Sequence, residues 1–338
     1  MNKVLITLRP LAIILLTALS LYACGMKDNN HFDGTCTEFS MDGSGEDIQI
    51  DRDRGLAYIS LFDRQGLAND IPVPPGDILA LDLTKTPLAA TSALIEGPEL
   101  RPHGISLFID RTGQRHLFVI NHPEDRATGA EKIERYREET PGAFRHVETF
   151  TSPLITRAND LVAVGDRQFY VAQDVDRSSD ETLTSLVYFD GAGYAVVADD
   201  IQSGGGINTS ADSTTLYISE TNGKTIRVVS RDVSDGSITT LQNISLGTSP
   251  DNIDVAADGS LWVGAHSRVL ALVLHFITGS KSPTQILRID LSETEPQITE
   301  LYLNDGEEIS AGSCGATYGS TLLIGSITAK KLLICEMD

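Results

Sequence analysis

The sequence predicts an all-β fold, and within that class a six-bladed β-propeller. Three observations lead there. The 338-residue chain shows little helical periodicity and many short apolar runs punctuated by Gly, Asp, Asn and Ser. One type of run, a turn followed by an apolar-aromatic strand, recurs six times: GLAYISLF (55–62), RHLFVINH (115–122), RQFYVAQD (167–174), TTLYISET (214–221), GSLWVGAH (259–266) and STLLIGSI (320–327). Each is preceded by a further strand-like segment. These segments begin near Glu46, His103, Asn159, Gly206, Asp251 and Ser313, with gaps of 57, 56, 47, 45 and 62 residues. A repeat of about 45–60 residues carrying several strands is the signature of propeller blades. A β-sandwich with long insertions is the other architecture such strands can build, and six consistent triplets argue against it.

The third strand of each unit completes the pattern. ILALDL (78–83), SLVYFD (185–190), TIRVVSR (225–231), QILRIDL (285–291) and KLLICEM (331–337) follow the recurrent run, and KIERYRE (132–138) is a more polar version. In a propeller the first strand of each blade lines the central channel. Three of these strands open with paired oxygen-bearing residues: Glu46-Asp47, Asn159-Asp160 and Asp251-Asn252. Such pairs also occur in turns and caps. These three fall in phase with the repeat, on the first, third and fifth blades, so their side chains can converge on the axis. Hard oxygen donors in an irregular cage suit Ca²⁺, which takes 6–8 of them. No Cys/His cluster points to zinc. Adjacent strand residues face opposite ways, so one member of each pair can serve one ion and its neighbour a second.

Residues 1–23 read as a targeting segment. Lys3 and Arg9 precede the 13-residue apolar run LAIILLTALSLYA (11–23), too short for a comfortable membrane span and suited to a signal peptide. The run ends in LYACG, which resembles a bacterial lipobox with Cys24 as the lipidated mature N-terminus. Gly25 in place of Asp implies outer-membrane sorting. Residues 24–34 then form a polar tether, and residues 35–338 the propeller. Cys36, Cys314 and Cys335 remain in an oxidising compartment. If Cys36 and Cys335 pair, they close the ring and stabilise it by on the order of 5 kcal/mol in the chain-entropy model. Cys314 is left over.

The net charge of −21 argues against a basic phosphate-binding face, so nucleic acid is not an expected partner. Most of the acidity serves solubility. No GxSxG elbow supports a serine nucleophile. GGG at 204–206 lacks the Lys-Ser/Thr of a phosphate loop.

In order along the chain, GSGEDIQI, GDILALDL, RPHGISLF, LFVINHP, NDLVAVG, GIN, DNIDV, GSLWVGAH, ILRIDL and the terminal CEM resemble the paraoxonases, a family of arylesterases and lactonases related more distantly to regucalcin and gluconolactonase. The resemblance covers Cys36 to Glu336. It implies two calcium ions stacked in the channel. Glu46, Asn159, Asp251 and Asn252 correspond to ligands of the catalytic ion; Asp47, Asp160 and the backbone carbonyl of Ile105 correspond to those of the structural ion. His103 matches the histidine proposed as general base, His122 its partner, and Cys36 with Cys335 the family's disulfide. One departure stands out. The family's further Asn ligand falls on Gly205, where no side chain exists, and Asn208 is three residues too far along to replace it. Cys314 falls where a pocket-wall residue is expected, with a small buried thiol as the plainer reading. The family's free cysteine near WVGAH is Ala265 here.

The implied chemistry is calcium-dependent hydrolysis of a lactone or aryl ester. The ion polarises the carbonyl while a histidine-assisted water attacks. The other functions the sequence leaves open are a calcium-stabilised envelope binding module without catalysis and a sugar-lactone hydrolase. The partners are small-molecule substrates and, through Cys24, a membrane. His266 belongs either to the pocket wall or to the surface, and Trp262 to the core. The apolar stretch at 269–276, within the long segment 267–283, is a candidate lid, substrate wall or membrane-resting surface.

Overall fold

The computed structural model describes residues 30–338 apart from 70, 127, 177 and 178. The signal segment and Cys24 lie outside the described residues. Six antiparallel sheets form six blades around a channel, as the repeat predicts. Their innermost strands are Ser44–Asp51, Pro102–Ile109, Ala158–Ala163, Gly204–Thr209, Ser249–Val255 and Gly312–Tyr318. Every segment predicted to line the channel falls on one of them.

The two ends of the described chain share a blade. Gly34–Ser40 is the outermost strand of blade 6, paired antiparallel with Lys331–Met337. Cys36 lies directly opposite Cys335 in that register, and the two form the disulfide. The polar segment before it also joins the fold: His31–Phe32 adds a short strand to the outer edge of blade 5.

The strands are apolar throughout because both of their faces are covered. In blade 3, Phe169 and Val171 pack toward blade 2, with Phe118, Ile120 and Ile133. The alternate residues Tyr170 and Ala172 pack toward blade 4, with Leu216, Ile218 and Val229. The same alternation gives six hydrophobic clusters, one in each gap between neighbouring blades. Trp262 belongs to the gap between blades 5 and 6. Cys314 belongs to the gap between blades 6 and 1, as a buried free thiol whose pKa is pushed well up by burial. It packs in one cluster with Ile48 and Leu332, close enough to the channel to feel the charges of Asp47, Glu46 and Asp251.

Two helices sit at the end of the ring where the inner strands begin. The shorter, Arg64–Ala68, is capped by the Asp63 carboxylate, which accepts from the Gly66 N–H at 2.9 Å. The longer, Val269–Thr278, accounts for the apolar stretch and stops at Gly279, whose φ of 70° supplies the left-handed cap. It buries Leu272 and His275 and exposes Val269, Leu270, Val273, Leu274 and Ile277. His275 Nε2 lies 2.7 Å from Thr328 Oγ1, which fastens the helix to blade 6.

Candidate metal and catalytic site

All six inner strands break their pairing register near their first residues. The irregularities span Gly45–Ile48, Pro102–Ile105, Ala158–Asp160, Gly204–Ile207, Pro250–Ile253 and Gly312–Cys314. The residues inside them include Glu46, Asp47, His103, Asn159, Gly205, Asp251 and Asn252. A bulge frees residues from the ladder and re-aims their side chains. Simple alternation of adjacent residues is therefore too regular a description here. The bulges aim polar groups from several blades at one end of the channel.

Glu46 is the hub. Its side chain is buried, and its Oε1 accepts from Asn252 Nδ2 at 2.8 Å. The Asn252 amide also donates to the Glu46 carbonyl at 2.9 Å, and the Ser313 hydroxyl to the same carbonyl at 2.6 Å. Blades 1, 5 and 6 are thereby tied together. Glu46 Oε2 has no hydrogen-bond partner, nor has Asn252 Oδ1, nor Asn159 Oδ1, and all three atoms are buried. Buried oxygens without donors are costly. Here three occur in the four-residue set expected to bind the catalytic ion. The fourth, Asp251, holds His266 Nε2 at 3.0 Å. His266 is thus a buried partner of a candidate ligand, not a surface residue.

The electrostatics agree with a cation site. Burial raises Glu46 from its ordinary 4.5 to about 8; Arg64 opposes the rise, and the charges of Asp251 and Asp47 add to it. Among the described residues no three His, Cys, Asp or Glu side chains make a metal-ligating group by themselves. The donor set mixes the Glu46 and Asp251 carboxylates with the amide oxygens of Asn159 and Asn252, a composition that suits a hard cation.

Asp47 and Asp160 are placed differently. Asp47 accepts from the N–H groups of Ile48 and Ile105, both at 2.7 Å. Asp160 accepts from Leu161 and Ile207, both at 2.7 Å. The first clasps blade 1 to blade 2, the second blade 3 to blade 4. Burial raises Asp47 to about 7. Asp160 rises well above its ordinary range through burial and then through the charge of Asp47. The charge of Asp47 is therefore felt by Asp160 across the channel.

His103 and His122 stand beside this oxygen set. His103 Nε2 is 3.6 Å from Glu46 Oε2, and its Nδ1 is 3.0 Å from His122 Nε2. His122 Nδ1 is 2.6 Å from Glu131 Oε2. Arg126 donates to Glu131 Oε1 at 2.9 Å and to the Ala158 carbonyl at 3.0 Å. Both histidines are held well below their usual pKa. Burial dominates, followed for His103 by His122 and Arg64, and for His122 by Arg126 and Arg64. Both are neutral at neutral pH.

Two functional residues escaped the sequence reading. Glu131 lies in an irregular loop, nine residues beyond His122, with no periodicity to mark it. Arg64 opens the short helix and donates to the Pro102 carbonyl at 2.5 Å and to Ser44 Oγ at 3.2 Å. Burial lowers its pKa, and Glu46, Asp47 and Asp251 draw it back up. An ion pair also links blades near the opposite end of the inner strands. Arg52 donates to both oxygens of Asp254, at 2.8 and 2.6 Å, linking blade 1 to blade 5.

Comparison with known proteins follows the same lines. A family model described as Arylesterase matches residues 39–337. Serum paraoxonase/arylesterase 2 of Homo sapiens is 32% identical over 316 residues, which cover 88% of this chain and 87% of the relative. Serum paraoxonase/lactonase 3 of Mus musculus is 30% identical over 317 residues, with the same coverage. Among solved structures, the Malassezia sympodialis allergen Mala s 1 matches with a TM-score of 0.57 over 90% of this chain and 96% of its own, at 13% identity. A luciferin-regenerating enzyme matches with a TM-score of 0.56 over 90% and 95%, at 12% identity. The structural matches speak for the fold alone.

Proposed function

The chain belongs to the arylesterase family, and from that premise we propose that it is a calcium-dependent hydrolase of lactones and aryl esters. The observation that carries the reading is His103 Nε2, 3.6 Å from the partnerless Oε2 of Glu46, at the edge of the buried oxygen set. A base and a cation cradle share one end of one channel.

Glu46, Asn159, Asp251 and Asn252 would hold the catalytic ion, and Asp47, Asp160 and the Ile105 carbonyl a second, structural one. When bound, calcium supplies Lewis-acid stabilisation of the oxygen that becomes negative as the carbonyl is attacked. The remaining work falls to the chain itself. Glu131 accepts from Nδ1–H of His122 and fixes its tautomer. His122 Nε2 then accepts from Nδ1–H of His103, which leaves the Nε2 lone pair of His103 facing the oxygen set. His103 takes a proton from water there. Glu46 stands close enough to offset the charge that the imidazole gains.

Gly205 favours a second reading, in which the ion is structural only and the channel recognises a ligand without turnover. Hydrolysis of phenyl acetate, aliphatic lactones and gluconolactone, with calcium and then with chelator, separates the two. Activity lost to chelator and restored by calcium supports the hydrolase, and the relative rates identify the substrate class. No turnover, with calcium still raising Tm, supports the binding module. From the lipobox-like LYACG we further propose that the protein is held in the bacterial envelope by lipid on Cys24. Cys24→Ala is then expected to abolish incorporation of labelled fatty acid.

A further inference from the structure

The cation site has one gap, and another strand fills it. Gly205 and Gly206 occupy the bulge of blade 4's inner strand. Gly206 is required by close approach: a Cβ there would lie 2.5 Å from the Asp251 carbonyl oxygen and 2.8 Å from Asn252 Cα. Gly205 is different. A Cβ there would lie 3.4 Å from Asp251 Oδ1 and 3.2 Å from the Pro250 carbonyl oxygen, contacts that a small shift accommodates. What excludes it is Thr221 Oγ1, at 2.4 Å. A Cβ at Gly205 would thus sit within van der Waals reach of Asp251, one of the candidate ligands. The hydroxyl of Thr221 already takes up the space beside that position.

Thr221 directly follows the second strand of the same blade, Thr215–Glu220. Its O–H donates to the Pro250 carbonyl at 2.9 Å. A hydroxyl carries one proton and two lone pairs, so this bond fixes the rotor and leaves both lone pairs as acceptors. Thr221 Oγ1 and Asp251 Oδ1 both lie within 3.4 Å of a single point. An oxygen packed against Gly205, with a candidate ligand close by, is the group nearest to where a side chain at position 205 would begin.

We propose that Thr221 supplies the oxygen that Gly205 lacks, as a neutral donor toward the cation. Gly205 and Thr221 are then one exchange, in which a ligand has moved from the inner strand to the end of the second strand. This rests on the cation-site reading above. It predicts interdependence: Asn at position 205 is compatible with the fold only when position 221 is emptied.

The test is calorimetric titration of calcium into the full-length protein after chelation, with calcium-dependent Tm as a second readout. Thr221→Val keeps the shape and removes the oxygen. It is expected to weaken calcium binding about ten- to hundredfold, the range for losing a supporting group at a metal site. Thr221→Ser keeps the oxygen and is expected to bind like the wild type. Gly205→Asn alone is expected to lower the calcium-free Tm, and Gly205→Asn/Thr221→Gly to recover both Tm and calcium binding. Wild-type affinity in Thr221→Val, or Gly205→Asn tolerated with Thr221 in place, overturns the exchange. If Thr221→Val fails to fold, the double variant decides: restored binding supports the exchange and absent binding overturns it. A wild-type protein that binds no calcium overturns the site reading and the exchange together.

Discussion

Nδ1 of His103 lies 3.0 Å from Nε2 of His122, and the far nitrogen of His122 lies 2.6 Å from Glu131. The proposed base, His103, is therefore the end of a three-residue line, oriented by a carboxylate two steps away. His103→Gln is expected to lower kcat by about 10²–10⁴-fold, the usual contribution of a general base. Glu131→Gln is expected to lower kcat by at least about tenfold with little change in KM. It also frees the tautomer of His122, so the acid limb of the pH–rate profile moves. A Glu131 variant with altered Tm but an unchanged profile would reduce the residue to a structural brace.

The metal-free protein is expected to lose stability as pH rises. Glu46 is raised from 4.5 to about 8 and Asp47 from 3.8 to about 7, so between those values the folded state holds protons that the unfolded state has released. Stability then falls with pH across roughly 4–8, because the unfolded state binds fewer protons. Calcium competes for the same oxygens and reverses the trend. Thermal melts at pH 5 and pH 8, each with chelator and with calcium, check both signs. The gain in Tm from calcium should be larger at pH 8.

Asp160 has a job in the fold beside any ion. Asp160→Ala strands the buried N–H groups of Leu161 and Ile207, each at a cost of about 1–3 kcal/mol. Urea unfolding in chelator should show that loss, while Asn159→Ala under the same conditions should change stability far less. Asn159 Oδ1 accepts no hydrogen bond, so its removal is felt mainly when calcium is present.

The disulfide spans 299 residues. Cys36→Ser/Cys335→Ser is expected to cost on the order of 5 kcal/mol in the chain-entropy model, measured by denaturant unfolding of the oxidised wild type against the variant. Cys314 should remain unreactive to thiol reagents in the folded protein of both, because it is buried in an apolar gap.

The architecture was legible because each blade repeats one physical pattern. Turn residues, an apolar-aromatic strand and a second apolar strand recur at nearly constant spacing, and Glu46, His103, Asn159, Gly206, Asp251 and Ser313 mark six inner strands correctly. The helix at Val269–Thr278 was not legible as a helix, since the six consecutive apolar residues 269–274 carry no clear period. The bulges were invisible too. They depend on how each strand meets its neighbour, and Gly206 shows why, since its lack of a Cβ matters only because blade 5 passes within 3 Å. Glu131 reaches the site from an irregular loop and Arg64 from the first residue of a short helix, neither of them part of the strand repeat. Thr221 carries no motif at all; its meaning appears only beside the glycine it crowds.

Blade 6 draws its outer strand from residues 34–40 and its other three from residues 312–337. The channel needs all six inner strands at once, so no nascent chain can contain it. A chain stalled after blade 5 would leave uncovered the faces of blades 1 and 5 that blade 6 packs against, and Cys36 without the partner that blade 6 brings. Maturation of this molecule is therefore a last-second event. The polypeptide crosses from an open arc to a closed ring only when Lys331–Met337 slots beside a partner strand made some three hundred residues earlier.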